Sequence, residues 1–185
     1  MTYPWGFTSD QHFGHRNIIR FAGRPCADLE AMHEVLITNY NSVVPVDATV
    51  IHVGDVFFRA TEDEARAILG RLNGHKILVR GNHDGSFGRC HRNGFSIVTD
   101  ELRMDIGGRP CRISHFPYAG TEHHNGTSDP RFADRRPPKV KGEALIHGHT
   151  HKPERRLNNM VHIGVDAWDL FPVPLAEVEA LVARI

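Results

Sequence analysis

The chain has 185 residues, and its 22 basic and 22 acidic side chains give a formal net charge of +0. This balance excludes the strong positive field with which proteins bind nucleic acid nonspecifically, and the length suits one domain, residues 1–185, with its own core. The three cysteines form no CxxC pair, so we expect free thiols in a reducing cytoplasm.

The first half of the chain alternates between apolar runs and segments with helical spacing. Each apolar run ends in glycine or polar residues, which predicts a strand followed by a turn. The intervening segments carry helix caps: Asp28 precedes one of them, and Thr61 with Glu64 forms a capping box in the other. The alternation predicts an α/β fold with a largely parallel sheet. The predicted strands lie in residues 2–10, 47–55 and 75–84, and the predicted helices in residues 26–44 and 61–74.

The second half is richer in strands. A Gly107-Gly108 pair between two apolar runs predicts a hairpin, and residues 174–185 have the pattern of an amphipathic helix. A long stretch without apolar periodicity, residues 117–141, predicts a loop that is either functional or disordered. The further predicted strands lie in residues 95–100, 101–116 and 142–148.

Residue types that bind metals follow the predicted strands in order along the chain. In open α/β sheets, ligands bind beyond the carboxyl ends of the strands, so we expect these side chains to converge on one rim. They occur in the short sequences SDQH, VGD, GNHD, SH and GHTH, as Asp10, His12, Asp55, Asn82, His83, Asp84, His115, His149 and His151.

Carboxylates, an amide and imidazoles together suit Mn, Fe, Zn or Co better than Ca, and the set contains no thiolate for a structural zinc site. The set is too large for one ion and suits two ions that share a bridging carboxylate. Two such ions can clamp the attacking and leaving oxygens of a phosphoryl displacement.

The five short sequences, in this order, resemble the five blocks of the calcineurin-like metallophosphoesterases. The stretches FTSDQHFGHRNIIRF and HIGVDAWDLFPVPLAEV are similar to a subgroup of small, uncapped bacterial and phage members. The resemblance implies an αββα sandwich, in which two packed mixed β-sheets are flanked by helices.

The resemblance also implies a role for each residue. Asp55 would bridge two divalent transition-metal ions, with Mn favoured in vitro and Fe, Zn, Co or Ni as alternatives. His83 would contact the phosphate and protonate the leaving oxygen as general acid, and Asp84 would orient or tune that imidazole. The remaining ligands would be Asp10, His12 and His151 for the first metal, and Asn82, His115 and His149 for the second.

Substrate-binding residues are less defined. Arg59 follows the bridging aspartate at the spacing of a phosphate-gripping arginine in the protein-phosphatase branch, but Phe58 replaces the acidic residue of that branch. Arg59 therefore either touches substrate or lies on the surface. His15 and Asn17 could reach the substrate, but Asn17 is better explained as the cap of a short helix that follows it.

The other histidines have simpler explanations. We expect His52 and His162 to pack, and His33 and His75 to face solvent. We expect His147 to end a strand and to support the site, because Gly148 permits a bend before His149. His123 and His124, in the long loop, are either surface residues or part of a substrate lid.

The predicted function is hydrolysis of a phosphate ester by a metal-bridging hydroxide. The chain has no room for a large cap domain, which favours a phosphodiesterase acting on a nucleotide or nucleic-acid fragment. The alternatives are a phosphomonoesterase, including a protein phosphatase, and a non-catalytic interaction scaffold. No apolar run is long enough to span a membrane and no signal peptide is evident, so we expect no membrane partner; the oligomeric state stays open.

Overall fold

The computed structural model describes residues 3–121 and 130–185. The described chain contains two five-stranded sheets, five α-helices and two 3₁₀ segments. The strands are β1 (Gly6–Thr8), β2 (Thr49–His52), β3 (His75–Val79), β4 (Ile97–Thr99), β5 (Leu102–Ile106), β6 (Arg109–Ile113), β7 (Ala144–His147), β8 (Arg156–Leu157), β9 (Met160–His162) and β10 (Val173–Pro174). The helices are α1 (Ile18–Phe21), α2 (Leu29–Val43), α3 (Glu62–Arg71), α4 (Phe87–Asn93) and α5 (Leu175–Val182), and the 3₁₀ segments are Pro130–Arg135 and Val165–Ala167.

The first sheet has the strand order β10-β1-β2-β3-β4. Strands β1 to β4 are parallel, and β10 pairs antiparallel with β1. The helices between the parallel strands begin where the caps predict: the Asp28 side chain accepts a hydrogen bond from the backbone N–H of Ala31, and Thr61 and Glu64 form a complete capping box. Each such cap stabilises its helix by about 1 kcal/mol.

The second sheet has the order β5-β6-β7-β9-β8. Its centre is parallel, because β6 pairs with β7 and β7 with β9 in the same direction. Its edges are antiparallel, and the β5–β6 hairpin turns at Gly107 and Gly108 as predicted. Both sheets are therefore mixed.

The two sheets pack against each other through one apolar layer. Phe7, Ile51 and Val79 of the first sheet lie in the same buried cluster as Ile113 and Ile146 of the second. Helix α5 contributes Val178 and Val182 to this cluster. The outer face of the first sheet is covered by a second cluster to which α2 and α3 contribute. The predicted fold class, two mixed sheets with flanking helices, is confirmed.

Several short elements were not predicted from the sequence. Helix α4 has the sequence FGRCHRN, which lacks an apolar period, and its cap Ser86 accepts a hydrogen bond from Arg89 N–H. Strands β8 and β10 have two residues each, too few for any alternation to be visible. The lid prediction for His123 and His124 lies outside the described residues. Among the described helices, none is both long and apolar enough to cross a membrane.

Candidate metal centre

The predicted ligands lie in loops that follow β1, β2, β3, β6 and β7. These strands are parallel within each sheet, so their carboxyl ends share one edge of the sandwich. The backbone of these loops is constrained. Non-glycine residues rarely adopt a positive φ, and the cost is accepted mainly at functional sites. Five predicted ligands have one: Asp10 (60°), His12 (54°), Asp55 (52°), His149 (72°) and His151 (53°).

One cluster of potential ligand atoms consists of Asp10, His12 and His151, and these atoms lie within 4.8 Å of one another. Asp10 and His12 are buried, and His151 is half-buried. The Asp10 carboxylate accepts two contacts from the backbone N–H of His149, at 3.0 and 2.9 Å, which ties the loop after β1 to the loop after β7.

A second cluster consists of Asp55, His115 and His149, all buried and again within 4.8 Å. Nε2 of His115 lies 3.4 Å from Oδ2 of Asp55 and 3.2 Å from Nδ1 of His149. The other nitrogen of His115, Nδ1, is 2.8 Å from the carbonyl oxygen of Val53 and donates to it. This bond fixes the ring so that Nε2 faces the cluster.

Asp55 of the second cluster also lies close to the first. Its Oδ2 is 3.6 Å from Nε2 of His12 and 3.4 Å from Nε2 of His115. Among the described residues, both ring nitrogens of His12 and Oδ1 of Asn82 are buried without a hydrogen-bond partner. Buried polar atoms are otherwise almost always paired. Orphaned imidazole nitrogens beside the carboxylates of Asp10 and Asp55 fit divalent metal ions, and the amide oxygen is a further donor that such ions accept.

Burial and neighbouring charges shift the pKa values of several groups in the two clusters. Burial raises the pKa of Asp10 above its ordinary value, and burial lowers the pKa of His12 well below its own. Burial alone would lower the pKa of His115, but the carboxylates of Asp55 and Asp10 outweigh it and raise that pKa to about 9. Buried carboxylates that recruit protons to neighbouring imidazoles mark a place where cations are stabilised.

His83 belongs to a third group of potential ligands, with His12 and Asp55. Its Nε2 is 3.9 Å from Oδ2 of Asp55, and its backbone N–H donates to Oδ1 of Asp55 at 2.9 Å. Its side chain is 36% exposed, whereas that of Asp55 is 3% exposed. His83 is therefore placed between the centre and solvent, where a substrate would enter.

Asp84 makes contacts that the sequence did not predict. Its carboxylate accepts hydrogen bonds from the backbone N–H groups of Asp55 (2.8 Å), Val56 (3.0 Å) and Gly81 (2.7 Å). Three bonds to two loops direct both carboxylate oxygens toward the backbone. Asp84 therefore fixes the loops that carry Asp55 and Asn82, and its predicted role beside His83 stays a prediction.

Among the predicted substrate residues, Asn17 also differs from expectation. It precedes α1, but its side chain makes no capping hydrogen bond, and it is exposed in a groove beside the centre. The expectation that it caps the helix is therefore wrong, because its backbone is already helical. His15 lines the same groove and stacks on Phe58, with ring centroids 4.0 Å apart. Arg59 is exposed next to Phe58.

The remaining histidines divide between packing and support. His52 is buried, 3.3 Å from Gln11, and His162 stacks on His147 at 5.2 Å, as expected of packed residues. His75 is exposed as predicted, whereas His33 faces solvent only in part: it is half-buried, and its Nε2 accepts the backbone N–H of Gly14 at 2.9 Å.

Gly148 is required for a different reason than the predicted bend. Its φ is not positive, but a Cβ at this position would overlap the side chains of Ser9 and Asp10. The loop after β7 thus approaches the loop after β1 too closely for any side chain.

Two candidate functional residues, Arg24 and Asp166, were not identified from the sequence. Asp166 Oδ2 lies 2.7 Å from Nδ1 of His151, and Oδ1 accepts from Nε of Arg24 at 2.8 Å. Arg24, which is 5% exposed, also donates to the backbone carbonyls of Asp10 and Gln11 at 2.6 and 2.7 Å. Burial would raise the pKa of Asp166, but the hydrogen bond from His151 and the charge of Arg24 lower it.

This network orients His151 and holds the strained loop after β1. Asp166 is 142 residues from Arg24, so no local pattern links the two. The one sequence feature that could have pointed to Asp166 is its place at the end of a strand-like run, in GVD, as for the predicted ligands. Asp166 and His151 form a carboxylate–histidine pair of the kind that orients metal ligands.

Replacing Asp166 with asparagine should weaken Mn²⁺ binding by about 10- to 100-fold, because an amide neither orients His151 nor neutralises Arg24 equally well. Calorimetric titration of the metal-free protein would measure this. Asp169→Asn is the matched control, since the Asp169 side chain is 89% exposed and its partner Arg155 is a surface residue. Equal affinities of the two variants would exclude the positioning role.

The two mixed sheets with flanking helices are a metallophosphoesterase fold, and the rim of aspartates and histidines could hold metal ions. The chain belongs to the calcineurin-like phosphoesterase superfamily: a family model described as "Calcineurin-like phosphoesterase superfamily domain" matches residues 5–165. The family recognised in the sequence is thereby confirmed.

Individual relatives agree with this assignment. The chain is 32% identical to the Gene 66 protein of Mycobacterium phage L5, over 91% of this chain and 88% of the relative. It is 39% identical to the uncharacterized protein MJ1445 of Methanocaldococcus jannaschii over 49% of this chain and 53% of that one. The solved structure of AQ665 from Aquifex aeolicus, a protein of unknown function, superposes with a TM-score of 0.73 at 24% identity, over 95% of this chain and 97% of that chain. This likeness shows the fold alone.

Proposed function

We propose that the chain is a hydrolase that uses two divalent metal ions to cleave phosphodiesters, with nucleotide-like compounds as substrates. The observation that carries the proposal is the position of Asp55. Its carboxylate is shared by two of the three groups of potential ligands, one of which includes the exposed His83, and its Oδ2 lies 3.6 Å from Nε2 of His12, a member of the third group.

The ligand roles follow from this arrangement. Two ions so placed would supply an activated water near neutral pH and neutralise charge on the phosphate. Asp55 would bridge them. Mn²⁺ is the first choice in vitro, and Fe, Zn, Co and Ni suit the same donors. The ligands would be Asp10, His12 and His151 on one side, and Asn82, His115 and His149 on the other.

His83 would act as the general acid. It lies at the mouth of the site with its backbone fixed to Asp55, and histidine is the most frequent proton donor to a departing oxygen. Asp84 would hold the loops beneath it, and Asp166 and Arg24 would hold His151. Arg59, His15 and Asn17 would contact the parts of the substrate beyond the phosphate.

A diester is favoured over a monoester because the site is open. Exposed residues, including His83 and Arg59, border it, which leaves room for a substituent on either side of the phosphate. The absence of an overall positive charge disfavours a processive nuclease. We further infer that residues 1–185 form one domain. We also infer that the chain acts in the cytoplasm, since all three cysteines are free.

Hydrolysis assays with defined metals test the proposal. Protein stripped of metal and reloaded with Mn²⁺ should hydrolyse bis-p-nitrophenyl phosphate with a higher kcat/KM than p-nitrophenyl phosphate. A preference for the second compound would indicate a phosphomonoesterase. Failure to bind metal together with failure to hydrolyse either compound would leave a non-catalytic scaffold.

A further inference from the structure

A ridge formed by Phe58 and Arg59 separates two grooves at the rim of the metal centre. The wider groove has a volume of about 610 Å³, and the narrower one about 390 Å³. Phe58, Arg59 and Ala60 line both of them. The site therefore opens in two directions rather than into one cleft.

Each groove reaches the centre beside a different histidine. His15 lines the wider groove and His83 the narrower one, and each of their rings has its centroid 5.4 Å from that of His12. Phe58 lies between them, stacked on His15 at 4.0 Å and edge-on to His83 at 5.0 Å. A phosphate held at the centre would thus face one groove on each side of the Phe58 ring.

The backbone and side-chain conformations of the ridge are constrained. Arg59 has a φ of 56°, a costly conformation that five of the predicted ligands also adopt. Its guanidinium lies 5.2 Å from the centroid of the Phe58 ring, within the range of a cation–π contact. A cation on top of the ridge suits an anionic phosphodiester that crosses it.

The walls of the wider groove suit a flat ring. Leu29, Ala67 and Ile68 supply apolar surface, and the imidazoles of His15 and His33 line the same space. Arg16, Asn17 and Glu64 add polar groups at its exposed side. Flat apolar surface beside hydrogen-bonding groups is the combination that binds a heterocyclic base.

We propose that the substrate is a phosphodiester that straddles this ridge, with the leaving group in the groove of His83 and a retained nucleoside-like group in the groove of His15. This inference rests on the proposed function. Water adds to phosphorus, the bond between phosphorus and the leaving oxygen breaks, and His83 supplies the proton to that oxygen. The products are an alcohol and the phosphate monoester of the retained group.

Two p-nitrophenyl diesters with the same leaving group test the proposal. In thymidine 5′-(p-nitrophenyl phosphate) the retained group is a nucleoside, and in ethyl p-nitrophenyl phosphate it is an ethyl group. The Mn²⁺-loaded protein should prefer the nucleoside compound by about tenfold in kcat/KM, the size of effect that stacking one base on aromatic side chains produces.

Narrowing the groove should remove this preference. Ala67 is exposed on α3 in the groove wall, so Ala67→Trp should bring the ratio of the two kcat/KM values close to one. Asn17→Trp, at another exposed residue that lines the groove, is a second variant with the same expectation. Ala180→Trp, at an exposed position of α5, is the matched control and should keep the ratio of the unmodified chain.

The outcomes separate this inference from the proposed function. Equal kcat/KM values for the two diesters, or a preference that survives both groove variants, would overturn the straddling arrangement while hydrolysis itself continued. Loss of hydrolysis of every ester in the unmodified, metal-loaded chain would overturn the proposed function, and the inference with it.

Discussion

Asp55→Asn should lower phosphodiester hydrolysis by about a thousandfold and reduce the bound metal from two ions per chain to one or none, because it removes the bridging charge. The amide keeps the shape and one oxygen of the carboxylate. It therefore retains an acceptor for the backbone N–H of His83, which Oδ1 of Asp55 accepts at 2.9 Å. The change is confined to the charge and to the second ligand oxygen.

The electrostatics of the site explain why this charge matters. Burial alone would raise the pKa of Asp55, but His115, His12 and His83 lower it well below its ordinary value. The carboxylate is thus ionised among imidazoles, and it is the group that can attract two cations at once. The neutral amide would leave the imidazoles without their shared counter-charge.

Elemental analysis of the purified variant, together with a Mn²⁺ titration, would measure the loss. Asp47→Asn is the matched control, since Asp47 is exposed before β2 and should change neither metal content nor rate. Two ions bound at unchanged affinity in Asp55→Asn would remove Asp55 from the bridging position.

His83→Ala should keep both metals but lower the hydrolysis of diesters with alkyl leaving groups by about 10²- to 10⁴-fold, the contribution typical of a general acid. The side chain is 36% exposed, so its removal should leave the fold intact. Its backbone N–H, which bonds to Asp55, is also retained in alanine.

The leaving group offers a sharper test of the same role. p-Nitrophenolate departs without being protonated, whereas an alkoxide leaves readily only when an acid protonates its oxygen. The loss in His83→Ala should therefore be much smaller for bis-p-nitrophenyl phosphate than for a dinucleotide. His75→Ala, at an exposed position of β3, is the matched control.

Two results would reassign His83. A loss of one metal would make it a ligand, as its position within 4.8 Å of potential ligand atoms of His12 and Asp55 allows. An equal loss of rate for both kinds of leaving group would assign it to phosphate binding rather than to proton transfer.

The parts of the fold that were predictable are those with local signals. Helices α2 and α3 carry caps and apolar spacing, and the β5–β6 hairpin carries a Gly-Gly turn, so each could be placed from nearby residues. Helix α4 and the two-residue strands are stabilised by their neighbours in the fold, and a short segment without periodicity carries no local signal of that.

The site shows the same division at the level of single residues. The family resemblance implied that Asp84 acts on the imidazole of its neighbour His83. Its side chain also bonds to the backbone of Asp55 and Val56, which are 29 and 28 residues away, and no local pattern predicted these contacts. Adjacent residues in a tight loop point in different directions, so adjacency predicts shared location but not shared role.

The sequence by itself determined the family, the order of the strands that carry the potential ligands and the ligand types, because each of these is written in short contiguous patterns. Only the tertiary structure decided which groups face one another. Asp166 contacts His151, and Arg24 bonds to the backbone of Asp10. Gly148 lets the loop after β7 approach the Asp10 loop closely. No local pattern encodes these contacts. The physical reason is that these contacts depend on side-chain direction and on the packing of two sheets, which many different sequences satisfy equally well.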